Sequence, residues 1–184
     1  MLIGNTIADL DAVLRIFASL TRIAQIEAQT RKQAFCKVDL VEIVGKVVEL
    51  YDAAAEQDGT RLSIAGDPEV VVTGDRDLIF DAIANLVDNA IKHGRAGGQI
   101  VVASETIDGR PVISIADDGP GIPVDQYEHV FRRFYRLEQS RYTPGNGLGL
   151  SLVAAVARLH GARIEMLDNS PGLKFRLWFS APTS

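Results

Sequence analysis

The chain has 184 residues, 47% of them apolar and 23% charged, with a formal net charge of −5. That balance fits one globular domain with a short appendage and excludes a disordered or fibrous protein. The acidic excess offers no broad surface for nucleic acid or an anionic membrane, and no run of about 18 apolar residues would span a bilayer. The lone Cys36 excludes an internal disulfide and gives no metal-ligand spacing.

The start MLIGNTIADLDAVLRIF carries acids where a secretory leader needs positive charge, so a cytoplasmic location is expected. From Ile3 to about Ala28 the pattern is helical. Ile7, Leu10, Leu14, Phe17, Thr21 and Ala24 form one seam with alternating steps of three and four. Val13, Ile16, Leu20 and Ile23 form a second stripe beside it. Two stripes predict neighbours on two sides, as in a helical bundle, where a terminal helix packed on its own domain needs one.

Thr30 to Lys37 is polar and basic and reads as a hinge. Asp39 is an N-cap for a helix from Leu40 to about Gln57. Arg61–Ala65 and Glu69–Thr73 read as strands separated by the turn Gly66-Asp67-Pro68. A long helix opens at Gly74-Asp75 and reaches His93, where Gly94 stops it. Strands Gln99–Ile107 and Pro111–Ala116 follow, joined by Asp108-Gly109. Beyond them come a short helix near Val124–Val130, an aperiodic stretch from Arg132 to Asn146, and an apolar helix from Gly147 to His160. A last strand pair spans Ala162–Leu167 and Lys174–Phe179. The fold class is α+β, helices layered on a sheet, behind an N-terminal helix.

Four segments carry chemistry. On the long helix, Asn85, Asn89 and Lys92 share a face, with His93 next to it and Leu86, Val87 and Ala90 on the buried side. Amides and a lysine on one face suit a magnesium triphosphate, because magnesium prefers oxygen ligands and the lysine answers phosphate charge. Asp117-Asp118-Gly119-Pro120-Gly121-Ile122-Pro123 follows a strand directly. Its carboxylate can accept from an exocyclic amine, and its glycines let the backbone approach a flat ligand. The third segment, Phe131 to Arg136, is aromatic and basic. The fourth, Gly145-Asn146-Gly147-Leu148-Gly149, opens a helix, where free N–H groups and the helix dipole favour an anion. No Gly-Lys-Ser/Thr follows these glycines, so this is no Walker loop.

In this order the four segments resemble the GHKL ATPase superfamily, and within it the catalytic domain of bacterial sensor histidine kinases, over about Asp39 to Phe179. The resemblance implies a Bergerat-type two-layer α/β sandwich, a mixed sheet plus three main helices, holding ATP and Mg²⁺ beneath a lid. It implies three parts: residues 1–30 as one helix of a dimerisation and phosphotransfer hairpin, 31–38 as linker, and 39–184 as the ATP-binding domain. Asn89 would be the main magnesium ligand, assisted by Asn85. Lys92 would face the phosphates, and His93 takes the place of an aromatic beside the nucleotide. Asp117 would accept from the adenine amine, Gly119 and Gly121 would line the base pocket, and Ile122 would pack on the ring. Gly145, Gly147, Leu148 and Gly149 would present amides to the phosphates, and Arg136 and Arg141 would reach the γ-phosphate side. Asn146 stands where the family more often has Thr or Ser, which leaves the lid geometry open.

The family carries its phosphoacceptor histidine on the first bundle helix. His93, His129 and His160, the three histidines here, have no acceptor context, so the acceptor is expected on a helix outside this sequence. The implied partners are that helix, a response regulator and a second copy of the chain through the bundle helix, with no nucleic acid and no membrane contact by this segment; the resemblance implies an inner-membrane sensor kinase as the parent protein. Where GHKL hydrolases place a water-activating glutamate, this chain has Asn85, which cannot take a proton, so slow hydrolysis is expected. An ATP-binding pseudokinase or regulatory module, and a serine-directed anti-sigma-factor kinase, are the alternative readings.

Overall fold

The computed structural model describes residues 2–28, 35–137 and 145–181, with residues 2–9, 11, 12 and 15 described by backbone alone. The elements run α1 (Leu2–Glu27), β1 (Cys36–Asp39), α2 (Leu40–Gln57), β2 (Arg61–Gly66), β3 (Val71–Gly74), α3 (Arg76–His93), β4 (Gln99–Ile107), β5 (Arg110–Asp117), α4 (Gly149–Leu159), β6 (Arg163–Asp168) and β7 (Leu173–Trp178). A single 3-10 turn, Val124–Gln126, stands where a short helix was expected.

The five-stranded sheet has the order β2-β4-β5-β7-β6, and β1 pairs with β3 apart from it. One face is apolar: Val102 lies opposite Ile115, and Ile115 opposite Phe175. Helices α2, α3 and α4 cover that face and pack on one another. Leu40, Val44, Leu78, Ile83, Val87, Ile113 and Val153 are buried in the shared core. Burial of such a side chain contributes about 1.5–3 kcal/mol each, enough to fix the helices over the sheet. The α+β sandwich is thus as the sequence implied.

Two local differences from the sequence reading have clear causes. The turn Gly66-Asp67-Pro68 does not return β3 against β2. Asp67 N–H donates to the Ser104 carbonyl at 2.8 Å, and Asp67 Oδ2 accepts from Thr106 N–H at 2.7 Å. The turn is therefore tied to β4, β2 runs parallel to β4, and β3 leaves to pair antiparallel with β1. Second, Cys36 to Val38, inside the expected linker, belong to β1, and the exposed Cys36 begins that strand.

Helix α1 divides along its length. Ile23 and Ile26 are 1% and 2% exposed within the same core as the sheet, whereas Leu10, Val13, Leu14 and Phe17 are 57–69% exposed. The second stripe thus packs on the chain's own α4 through Ile16, Leu20 and Ile23, while its Val13 and the described side chains of the first stripe are exposed. Arg22 pairs with Asp81 of α3, and Glu27 accepts from Arg133 at 2.6 Å and Arg158 at 3.4 Å. Among the described residues no helix is long and apolar enough to cross a membrane.

Candidate nucleotide-binding site

A cavity of about 360 Å³ opens between α3, the end of β5 and the start of α4. Its position follows from local sequence chemistry. Asp75 caps α3 by accepting from Asp77 and Leu78 N–H, both at 3.1 Å, and Gly94 ends the helix after Lys92 and His93. Between these ends Leu78, Ile83, Leu86 and Val87 face the sheet, so the 3.6-residue period turns Asn85, Asn89, Lys92 and His93 into the cavity.

From the opposite wall come Asp117, Pro120, Gly121 and Ile122, and from the third side Arg136, Gly145, Asn146, Gly147 and Gly149. Eleven residues singled out in the sequence therefore meet in one place: Asn85, Asn89, Lys92, His93, Asp117, Gly121, Ile122, Arg136, Gly145, Gly147 and Gly149. Gly119 and Leu148 do not line it. Gly119 stands behind the wall, where an added Cβ would lie 2.8 Å from the Gly94 Cα, and its N–H donates to Asp117 Oδ1 at 2.9 Å. Leu148 is buried, and its N–H donates to Asn146 Oδ1 at 3.2 Å. Arg141 lies outside the described residues.

The electrostatics differ from wall to wall. Burial pushes the Asp117 carboxyl above its usual range; hydrogen bonds from Gly119 and Leu173 N–H work the other way, and Asp118 adds to the rise. His93 is held below the ordinary histidine value, first by burial and then by Lys92 and Arg136, so it is neutral near pH 7. Lys92 Nζ donates to Asp88 Oδ2 at 2.6 Å, a pairing not foreseen from the sequence. Arg136 Nη1 donates to the Gly145 carbonyl at 3.0 Å. Phe134, at φ 62°, donates its N–H to the Gly147 carbonyl at 2.9 Å, so the aromatic-basic segment and the glycine segment form one strap.

The amides of α3 suit a hard cation. Asn85 Nδ2 donates to the Asp81 carbonyl at 2.8 Å, which leaves Oδ1 toward Gly149, 2.9 Å from where that glycine's Cβ would lie. Asn89 Nδ2 is buried without a hydrogen-bond partner. A buried amide N–H₂ without an acceptor suits a phosphate oxygen, and the Asn85 Oδ1 near it suits a hard cation. Among the described residues no group of three His, Cys, Asp or Glu side chains forms a metal cage, so such an ion would draw on these amides and on its own ligand oxygens.

Tyr135 of the aromatic-basic segment also lines the cavity, and other wall residues escaped sequence reasoning: Asp88, Leu173 and Phe175. The last two come from β7 and reach the site only through sheet pairing. Beyond Leu148, Gly149 and Asn85 a wider cleft of about 1140 Å³ separates α3 from Ile16, Phe17, Ser19 and Arg22 of α1. No motif signalled it.

Comparisons with known proteins agree with this geometry. The family described as histidine kinase-, DNA gyrase B-, and HSP90-like ATPase matches residues 74–183. The sensor-like histidine kinase SenX3 of Mycolicibacterium smegmatis is 33% identical over 180 residues, 96% of this chain and 46% of that protein. Sensor histidine kinase CusS of Escherichia coli O157:H7 is 28% identical over 93% of this chain and 36% of its own length. The chain thus spans less than half the length of either relative. Among solved structures, the catalytic domain of histidine kinase ThkA superposes with a TM-score of 0.72 at 27% identity, covering 80% of this chain and 95% of that one. An α3 amide face, a strand-end aspartate and a glycine strap around one cavity, found together with these matches, place the chain in the histidine kinase-, DNA gyrase B- and HSP90-like ATPase family, as an ATP-binding catalytic domain of the sensor histidine kinase type.

Proposed function

We propose that this chain binds Mg-ATP in the α3–β5–α4 cavity and hands the γ-phosphoryl group to a histidine carried on a helix outside these residues, as part of a two-component sensor kinase. The observation that carries this reading is the convergence of Asn85, Asn89, Lys92 and His93 with Asp117, Gly145, Gly147 and Gly149 around one cavity. Asp117 would accept the adenine amine, Gly121 and Ile122 would lie along the base, and the strap of Gly145, Gly147 and Gly149 would face the phosphates. Asn89 and Asn85 would hold Mg²⁺, which would supply positive charge against the phosphate oxygens; in the transfer the bridging P–O bond breaks as the P–N bond to the acceptor histidine forms. Lys92 and Arg136 would supply further positive charge; Arg141 belongs to the same proposal. Phosphoryl transfer needs chiefly positioning and electrostatics, which amides and cations provide.

Its own histidines are poorly placed as acceptors. His160 is engaged at both nitrogens, Nε2 accepting from Asp75 N–H at 3.0 Å and Nδ1 lying 2.8 Å from the Val156 carbonyl. His129 has a buried Nδ1, and His93 sits in the cavity wall. Asn85 cannot act as a base toward water, which supports transfer over hydrolysis. The bare α1 face of Leu10, Val13, Leu14 and Phe17 supports pairing with a second copy, and a response regulator would then take the phosphoryl group. Sedimentation at rising concentration checks the pairing; a strictly monomeric chain would refute it.

Calorimetric titration with Mg-ATP and Mg-ADP, set against the Asp117→Asn variant, tests the central claim. Micromolar to sub-millimolar binding that the variant weakens about 100-fold is expected, since the variant turns a charged acceptor into an amide. No binding by the unaltered chain would point instead to an interaction module that has lost nucleotide.

A further inference from the structure

We infer that Asn169, in the turn between β6 and β7, is a positioning residue for base recognition, holding the Asp117 backbone so that its carboxylate meets an exocyclic amine. The inference rests on the nucleotide reading above. Asp117 is the last residue of β5, and its ladder with β7 stops one residue earlier, at Ala116 opposite Lys174. On that side the Asp117 carbonyl has left the sheet. Asn169 supplies the missing donor: its Nδ2 donates to the Asp117 carbonyl at 2.7 Å, across 52 residues of sequence.

The turn is built to hold that amide in place. Asn169 N–H donates to the Gly172 carbonyl at 3.2 Å, closing the turn. Asp168 accepts from Ser170 N–H and Oγ, both at 3.0 Å. Gly172 lies against Asp117 so closely that a Cβ there would sit 1.9 Å from the Asp117 carbonyl oxygen. The same turn leads into Leu173, whose N–H favours the charged form of the Asp117 carboxylate. Asp117 is therefore gripped at the carbonyl by Asn169 and at the carboxylate by Gly119. Asn169 is exposed and does not line the cavity, so it acts through Asp117 rather than on a ligand.

The test compares ATP with inosine triphosphate, which has a keto oxygen in place of the adenine amine. Affinities are measured for the full chain, for Asn169→Ala and for the isosteric Asn169→Asp, which lacks the N–H donor. The unaltered chain should prefer ATP by at least about tenfold, because a carboxylate cannot bond a keto oxygen. Both variants should lose about three- to tenfold in ATP affinity with inosine triphosphate unchanged, so the preference collapses while the melting temperature holds. Retained preference in either variant, or equal loss for both nucleotides, would overturn the positioning role and leave nucleotide binding intact. Failure of the unaltered chain to bind ATP would overturn the nucleotide reading, and the role of Asn169 with it.

Discussion

The two ends of the cavity are built on different principles. At the Asp117 end the strand is held by contacts to backbone or from backbone: Asn169 on the carbonyl, Gly119 on the carboxylate, Gly172 pressed against the strand. At the α4 end the glycine strap faces side chains of α3, among them Lys92, which rests on Asp88 and can turn on its flexible stem. A flat base needs a fixed slot to be told from its isosteres, whereas a triphosphate with a metal needs groups that follow charge as it moves. Rigidity and adaptability are thus placed where each is useful.

The same substitution at two glycines tests that contrast most severely. Gly172→Ala puts a Cβ 1.9 Å from the Asp117 carbonyl oxygen at φ +113°, and nothing there can yield. A loss of about 3 kcal/mol in stability is expected by denaturant titration, with base recognition lost as well. Gly149→Ala meets only the Asn85 Oδ1, at 2.9 Å. Being at a helix start, it should leave stability within about 0.5 kcal/mol. Its Mg-ATP affinity should fall about tenfold, because the Asn85 amide is displaced. If both variants behaved alike, the distinction between the two ends would fail.

A milder test addresses the adaptable end alone. Asp88→Asn removes an acid from the cavity wall and releases Lys92 from its partner. Mg-ATP should then bind about two- to fivefold more tightly at low salt, with the gain fading as salt rises. Unchanged affinity would mean that Lys92 does not serve the phosphates.

The smallest effect is one of pH. His160 is kept below the ordinary histidine value, first by burial, and His93 likewise. The unfolded chain therefore binds more protons than the native one between the lowered values and about 6.5. Stability should rise with pH through that window and level off above it. His160 also stacks on Phe35 at 4.7 Å and accepts from the Asp75 N–H that opens α3. His160→Gln should flatten the slope in thermal melts between pH 5.5 and 7.5; an unaltered slope would assign it elsewhere.

How much of this was legible depended on the range of the interaction. The face of Asn85, Asn89 and Lys92 follows from helical period, and the glycines of Asp117 to Gly121 from local backbone needs, so both could be read from short windows. Asn169 could not be, because its partner lies 52 residues away and is a carbonyl, which every residue carries. Likewise Gly66-Asp67-Pro68 announced a reversal, while the bonds from Asp67 to Ser104 and Thr106 decided which strand received it. The two stripes of α1 were visible, yet only packing separated Ile23, which is buried, from Phe17, which is not.

The parallel pairing of β2 with β4 has a kinetic consequence. The hairpins β4–β5 and β6–β7 close over a few residues of turn, whereas Arg61 meets Gln99 only after β3 and all of α3 have been laid down between them. Loop-closure entropy makes such a non-local ladder late to form. Pulse-labelled hydrogen exchange during refolding should therefore find the amides of β4 and β5 protected before those of Leu62 to Ala65.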